Sequence, residues 1–159
     1  MVKSPSFQLL TNFSLLSKFH PLQSQKMEKP SIQKIFPLST KHTKTLKIKT
    51  AHSEAIRYVR QTGGEIFAVY QVHLTPRPVD LEENNIRLTV VAETVWAMNT
   101  VEKGISRALT QFITECEEKE IGIEGFDVLI ENRLFHEIDS RPLGYYFTMH
   151  KVVKVQFDL

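Results

Sequence analysis

The chain has 159 residues, of which 42% are hydrophobic and 24% are charged, a composition typical of one globular domain. No apolar run approaches the roughly 20 residues of a membrane-spanning helix, so the sequence predicts no transmembrane segment. The only cysteine, Cys116, has no intrachain partner, which excludes a fold that depends on an internal disulfide.

The net charge of +2 conceals two halves of opposite sign. Residues 1–61 contain eleven Lys and Arg against two acids, and residues 62–159 contain nine against sixteen, which gives +9 and −7. A basic segment beside an acidic body can bind nucleic acid or lipid headgroups, fold back on its own domain, or direct import into an organelle.

Residues 1–42 are predicted to be a basic leader without a stable helix or strand. Its Ser and basic residues with few acids are typical of an organellar transit peptide, and a disordered arm is the alternative. We therefore expect a soluble intracellular protein, located in a plastid or mitochondrion or else in the cytoplasm. Residues 43–159 are predicted to form a single domain.

This domain is predicted to begin with a short strand and a short helix. "TKTLKIKT" alternates Leu46 and Ile48 with lysines. "HSEAIRYVRQTGG" offers Ser53 as a helix cap and Ile56 and Val59 as an apolar face before a glycine stop.

Two strands and one long helix are predicted next. Alternate residues are apolar in "EIFAVYQVHLT" and in "IRLTVVAE", and "PRPVDLEENN" is the predicted loop between them. Asn99 followed by Glu102 resembles a capping box. Apolar residues then recur at helical spacing, namely Val101, Ile105, Ala108, Leu109, Phe112, Ile113 and Cys116. Because Cys116 lies on this stripe, we expect a buried, inert thiol.

The end of the chain is predicted to be a β-hairpin. "FDVLIENRLFHE" and "YYFTMHKVVKVQFDL" alternate like strands, and "IDSRPLG" has the composition of a turn. Pairing residues whose numbers sum to 283 puts the apolar residues of both strands on one face. The predicted fold class is α+β: an antiparallel four-stranded sheet in the chain order β-β-α-β-β, with one long helix on one face.

His136, Glu137 and Asp139 are the candidates for catalysis. In an extended strand the two acids point away from the histidine, so a compact site requires the following turn to curl back. The alternative is a structural histidine bonded to Asp139 or to a loop carbonyl. His136 and His150 point to opposite faces in the predicted register, so no metal site is predicted, and no motif predicts a cofactor.

Other residues are candidates for binding. Trp96, the only tryptophan, can anchor a ligand or partner or close one end of the core, and Arg141 and Tyr146 are further candidates for contact. The candidates for anion binding are Lys41, Lys44, Lys47, Lys49, Arg57 and Arg60.

Three functions are compatible with these patterns. One helix leaves the second sheet face half apolar, with Phe67, Val69, Val91, Leu129, Phe135, Tyr146 and Val152. The first hypothesis is therefore a non-enzymatic interaction or accessory module with a basic N-terminal arm, which forms a homo-oligomer or docks a protein partner through its sheet. The second is a small-ligand-binding protein or enzyme that uses the rim around His136 and Asp139. The third is an RNA-associated factor that uses the basic residues of 41–60.

Overall fold

The computed structural model describes residues 28–60, 66–77 and 83–159 and shows an α+β fold with two helices and a five-stranded mixed sheet. The strands are β1 (Ser31–Pro37), β2 (Lys44–Leu46), β3 (His52–Arg60), β4 (Ile66–Pro76), β5 (Asn85–Val91), β6 (Ile121–Ile123) and β7 (Phe126–Leu134). The helices are α1 (Val95–Glu118) and α2 (Pro142–Gln156). Residues 1–27 of the predicted leader lie outside the described residues.

The main sheet has the strand order β1-β5-β7-β4-β3. β5 and β7 are parallel, and the other neighbouring pairs are antiparallel. The parallel pair follows from α1, because a helical crossover returns the chain to the end of the sheet from which it left. The predicted α+β class is confirmed, but the sheet has five strands instead of four and is not wholly antiparallel.

Both helices lie on the same face of this sheet. The even-numbered residues of the three central strands point toward the helices and are buried: Ile66, Ala68, Tyr70, Val72, Leu74, Ile86, Leu88, Val90, Phe126, Val128 and Ile130. We call the opposite face, formed by odd-numbered strand residues, the outer face. In the described part of the chain, neither helix combines the length and apolar character needed to cross a bilayer.

The clearest sequence patterns are confirmed. β4 and β5 have the predicted alternation, and six of the seven predicted stripe residues on α1 are buried, the exception being the half-buried Ile113. The helix begins earlier than predicted, since Thr94 is the N-cap and its hydroxyl accepts the N–H of Ala97 at 3.0 Å. The predicted cap at Asn99 is therefore wrong, and Trp96 lies in the first turn of α1.

One prediction around the first strands needs correction, and another is confirmed in part. The residues 31–37, assigned to the leader, form β1, in which Ile32 and Phe36 pack against the core. Pro30 precedes this strand and Pro37 is its last residue; these prolines hide the strand signal, although an edge strand tolerates them. β2 confirms part of the predicted strand, and it pairs in parallel with β6.

An ion pair connects β1 with α1. Lys34 Nζ lies 2.8 Å from Glu102 Oε2, which also accepts the hydroxyl of Ser106 at 2.5 Å. Burial acts to raise the pKa of Glu102, but the hydrogen bonds from Lys34 and Ser106 and the charge of Lys34 lower it overall. The pair therefore stabilises the fold while the carboxylate is ionised, and this contribution is lost as the pH falls through the lowered pKa.

The segment predicted as a short helix is β3. It pairs with β4 along all nine residues, with Ile56 opposite Tyr70 and Tyr58 opposite Ala68. Ser53 is consequently not a helix cap, and the predicted glycine stop lies in the undescribed residues 61–65. Pairing with a neighbouring strand here outweighs a short helical pattern of weak propensity.

The last predicted strand is α2. Its buried residues Tyr145, Met149, Val152 and Val153 are spaced by four, three and one, as on one side of a helix. Pro142 occupies the first turn, where its missing N–H costs nothing. The predicted hairpin and its register are therefore wrong, and Tyr146 and Val152 lie on a helix instead of on the sheet.

The two helices pack closely at Gly104 on α1. A Cβ atom at this position would collide with the carbonyl oxygen of Pro142 and lie 2.7 Å from the Cβ of Tyr145. Gly104 lies inside the interface between the two helices, so neither helix backbone can move away without displacing the elements against which it packs.

We expect Gly104→Ala to lower the free energy of unfolding by about 1–3 kcal/mol, because the overlap outweighs the roughly 1 kcal/mol gain in helix propensity. Urea denaturation followed by circular dichroism measures the change. Thr110→Ala, at an exposed position of the same helix, is the control and should be neutral or stabilising. An equally stable or more stable Gly104→Ala protein would contradict the close packing.

Candidate functional site

The loop between β7 and α2 curls back on itself. Asp139 Oδ2 lies 3.2 Å from Nδ1 of His136, and the backbone N–H of Asp139 donates to the same nitrogen at 3.3 Å. The hydroxyl of Ser140 accepts the backbone N–H of His136 at 2.8 Å. Within the described residues, no hydrogen bond or ion pair joins Glu137 to this pair.

This geometry holds the loop and does not assemble a catalytic triad. Ser140 is only 4% exposed and its hydroxyl bonds to backbone, so it is not placed to attack a substrate through the imidazole. One ring nitrogen of His136 is occupied by Asp139, as in the structural alternative. Among the residues that the structure describes, no nucleophile is therefore placed beside His136 for the second hypothesis.

A buried polar network lies between the loop and the core. The Tyr145 hydroxyl donates to Asn132 Oδ1 at 2.8 Å, and the Tyr70 and Thr148 hydroxyls are 2.6 Å apart. Burial raises the pKa of both tyrosines far above the ordinary range. Neutral, hydrogen-bonded phenols of this kind fix α2 on β4 and β7, which is a structural role.

Trp96 and Arg141, two of the residues predicted to contact a ligand or partner, each interact with a different neighbour in the fold. Trp96 is 55% exposed and meets Phe135 edge to face at 5.7 Å between ring centroids. Arg141 Nε donates to the carbonyl of Ile138 at 3.1 Å. Trp96 thus presents an open aromatic surface, while Arg141 supports the loop.

Tyr146 belongs to a cluster of side chains on the two helices. Its ring stacks on His150 at 5.8 Å, and the guanidinium of Arg107 lies 4.2 Å from the ring centroid. His150 in turn contacts Glu115 at 3.1 Å. Neighbouring side chains of α1 and α2 therefore already cover this tyrosine.

The predicted anion-binding residues are divided between two places. Lys44, Lys47 and Lys49 are exposed in and after β2, whereas Arg57 and Arg60 are near the far end of β3. At about 3.3 Å per residue, the nine residues of β3 alone extend roughly 26 Å. Lys41 is also exposed and precedes β2, so only the lysine group can form one patch.

The lysine group borders a depression of about 330 Å³. Lys47, Lys49, Thr45, Phe157 and Asp158 are among the residues that line it. In the described part of the chain, no ion pair joins Lys44, Lys47 or Lys49 to an acid.

A hydrogen-bonded chain crosses the outer face of the sheet. Ser53 Oγ on β3 lies 2.7 Å from Nδ1 of His73 on β4, and Nε2 of His73 lies 2.9 Å from Glu131 Oε1 on β7. Arg133 Nη2 lies 3.7 Å from the same carboxylate oxygen. Ser53 is exposed and His73 and Glu131 are half-buried, so the chain is open to solvent.

A shallow depression of about 600 Å³ adjoins this chain on the outer face. His73 is among the residues that line it, together with polar side chains of β4, β5 and β7 that include Thr75, Arg87, Thr89 and Asp127. Leu129 supplies an apolar floor. A volume of this size is within the range of small-molecule sites.

Sequence reasoning missed this chain because it took Ser53 for a helix cap. The three residues come from three strands and are brought together only by the pairing of β3 with β4 and of β4 with β7. No spacing in the sequence signals that arrangement. Among the residues that the structure describes, no group of three or more His, Cys, Asp or Glu side chains could hold a metal ion.

The chain has little similarity to known proteins. No protein-family model and no curated protein matches the chain. The chain is similar to the crystal structure of ttk003000868 from Thermus thermophilus, with 17% identity and a TM-score of 0.43. The similarity covers 78% of this chain and 16% of that chain. A likeness at this level carries no argument about function.

Cys116 is expected to be chemically inert in the folded protein. It is buried on α1, and burial, with a further contribution from Glu115, raises the pKa of its thiol to about 11. At pH 8 a disulfide exchange reagent should therefore react at least about a hundredfold more slowly than with the denatured chain, because the thiolate is the nucleophile. The double variant Cys116→Ser, Thr114→Cys moves the thiol to an exposed position of the same helix and should react at the ordinary rate. Fast labelling of native Cys116 would contradict its burial.

Proposed function

We propose that the protein is an interaction module that self-associates through its sheet, by pairing the outer edge of β3 with β3 of a second copy. The observation that supports this is an open strand edge: β3 is nine residues long and is the last strand of the sheet. In the described residues no strand pairs with its outer side. Unpaired backbone N–H and C=O groups of such an edge are a template for another strand.

The other edge of the sheet is better protected against pairing. β1 has seven residues, follows Pro30 and ends at Pro37, and its Lys34 side chain is bound to Glu102 on α1. Proline, lysine and short length are the usual means of blocking an edge. β3 is longer and contains no proline. The asymmetry favours β3 as the edge that accepts a partner strand.

The helix side of β3 is incompletely covered. Ile56 and Tyr58 point toward the helices but remain half-buried, and of the two helices only α2 contacts β3. A second β3 alongside would bring another Ile56 and Tyr58 against these residues. This adds apolar burial to the backbone hydrogen bonds of the ladder.

The sequence of β3 favours one antiparallel register. A two-fold axis at the central residue, Ile56, pairs all nine residues, with Ala55 opposite Arg57 and Glu54 opposite Tyr58 of the second copy. No two charged residues of the same sign among Glu54, Arg57 and Arg60 then stand directly opposite each other. The joined sheet would keep the helices of both copies on one side.

The expected dimer is weak. A single pair of strands of this length is roughly 26 Å long and buries less than the standard of about 800 Å² per partner. We therefore expect a dissociation constant in the micromolar range or above.

The register predicts opposite effects for two substitutions at Ala55, which is exposed in the monomer. Ala55→Lys places a positive charge opposite Arg57 twice and should raise the dissociation constant about tenfold, whereas Ala55→Glu should lower it by a similar factor. Sedimentation equilibrium over a range of concentrations measures both.

Ile35→Lys is the matched control, since Ile35 is exposed on the outer face of the other edge strand, β1. It should leave the dissociation constant unchanged. A protein that is monomeric throughout the range, or equal effects of Lys at positions 35 and 55, would overturn the proposal. If association is observed only with a strand of another protein, that protein and not a second copy is the partner.

A second candidate function is RNA association through the lysines of residues 41–49. The observation that favours it is the group of exposed lysines without ion pairs described above. Such lysines can neutralise phosphates and release counterions. The acidic residues of the outer face, Asp127 and Glu131, give no corresponding surface on the sheet.

Replacing Lys47 and Lys49 together by Glu is expected to abolish most of any affinity for single-stranded RNA. Two lost phosphate contacts should reduce the slope of log K against log salt concentration by about 1.4. Fluorescence anisotropy with a labelled oligonucleotide measures this. Lys151→Glu, at an exposed position of α2, has a smaller effect if the lysine patch is the site. Equal losses for both variants would show only non-specific attraction.

A further inference from the structure

We propose that Ser53 and His73 form a nucleophile and a general base on the outer face, oriented by the carboxylate of Glu131, and that they hydrolyse small carboxylic esters. The activity is separate from self-association, because all three side chains lie on the sheet face and not in the ladder of β3. It rests on the hydrogen-bonded chain that crosses β3, β4 and β7.

The partners of His73 fix its tautomer. An ionised glutamate can only accept hydrogen bonds, so in the neutral imidazole Nε2 of His73 carries the proton that it donates to Glu131 at 2.9 Å. Nδ1 is then the acceptor, and the Ser53 hydroxyl donates to it at 2.7 Å. This is the arrangement in which an imidazole can take the proton of a serine while a carboxylate stabilises the resulting cation. The ring nitrogens have exchanged roles relative to serine proteases, but the order of hydrogen bonds is the same.

Strand pairing holds the three groups in place. Ser53 and His73 are directly paired across β3 and β4. His73 is opposite Leu129 on β7, so Glu131 reaches it from the diagonal position. Rigid backbone ladders position such groups better than loops do. Gln71 is two residues before His73 on the same face of β4 and is paired with Ala55 on β3; its side-chain amide is the proposed hydrogen-bond donor to an oxyanion at Ser53.

The reaction has two balanced stages. Ser53 Oγ attacks the ester carbonyl carbon and its proton passes to Nδ1 of His73. The tetrahedral intermediate breaks its bond to the alcohol oxygen, which leaves with that proton, and an acyl-serine remains. Water then attacks the acyl carbon, His73 takes a proton from the water, and Ser53 regains it as the carboxylic acid departs. Nothing is oxidised or reduced, and water is the co-reactant.

The adjoining depression indicates the class of ester. Ser53, His73, Leu129 and Thr89 form one row across the sheet, and Arg87 lies one step along β5. Three strand spacings of about 4.8 Å separate the β3 and β5 backbones, and the arginine side chain covers several ångströms of that gap. A small ester whose acyl chain ends in a carboxylate can therefore reach Arg87 while its carbonyl is at Ser53.

The test uses the full chain with 4-nitrophenyl acetate and with the 4-nitrophenyl monoester of glutaric acid. We expect Ser53→Ala and His73→Gln each to lower the rate at least about tenfold, a modest effect for general base catalysis because the site is open to water. Mass spectrometry of the quenched reaction should show one acyl group on Ser53. Arg87→Gln should raise KM for the glutarate ester and leave the acetate unchanged.

Glu131 is a positioning residue, and its test separates catalysis from folding. Glu131→Gln should slow the formation of acyl-Ser53, and Glu131→Asp should restore part of the rate, with unchanged thermal unfolding. Ser31→Ala and His52→Gln are the controls. Ser31 is exposed on the other edge strand, and His52 is paired with Glu54 at 3.0 Å without a serine on its ring.

Three results would overturn the proposal. They are wild-type rates in Ser53→Ala, an acyl group on another residue, and equal losses in His52→Gln and His73→Gln. The last would mean that any surface imidazole accounts for the hydrolysis. None of these results bears on self-association, since Ala55→Lys is expected to keep the esterase activity.

Discussion

The architecture depends on packing two helices against a single face of one sheet. α1 and α2 can lie side by side there because Gly104 has no side chain at the point where the helix backbones meet. The buried tyrosines Tyr70 and Tyr145 then fill the space between α2 and the strands, with their hydroxyls satisfied by Thr148 and Asn132. Since both helices are committed to this side, the outer face is left to solvent in the described residues.

This one-sided arrangement determines where function can be sought. The helix side is occupied by the core, and its polar groups are bound to one another. The outer face contains half-exposed charged and polar side chains held on rigid strands. β3 is the last strand of the sheet, so it has an open edge, and its helix side is incompletely covered because only α2 of the two helices contacts it. Self-association and ester hydrolysis therefore both involve β3, the first through its backbone and the second through Ser53.

The sequence predicted those elements in which one period dominates. β4, β5 and β7 alternate without interruption and are buried on one side, and α1 has a long stripe at helical spacing. α2 could not be predicted because its apolar residues satisfy two periods. Tyr145, Phe147, Met149, Val153, Val155 and Phe157 are all odd-numbered, as in a strand, yet the residues that the fold buries lie on one side of a helix. Packing against β4 and α1 decides between the two.

The candidate site was less predictable than the fold, for a physical reason. His136 and Asp139 are neighbours in sequence, so their proximity could be anticipated from the requirement that the turn curl back. Ser53, His73 and Glu131 are far apart along the chain, and their contact depends on two strand pairings and on β3 being a strand at all. Reading β3 as a helix removed Ser53 from the sheet. When a site is assembled across strands, a wrong prediction for one edge strand hides the whole site. This holds even though β4, the strand that contains His73, was predicted correctly.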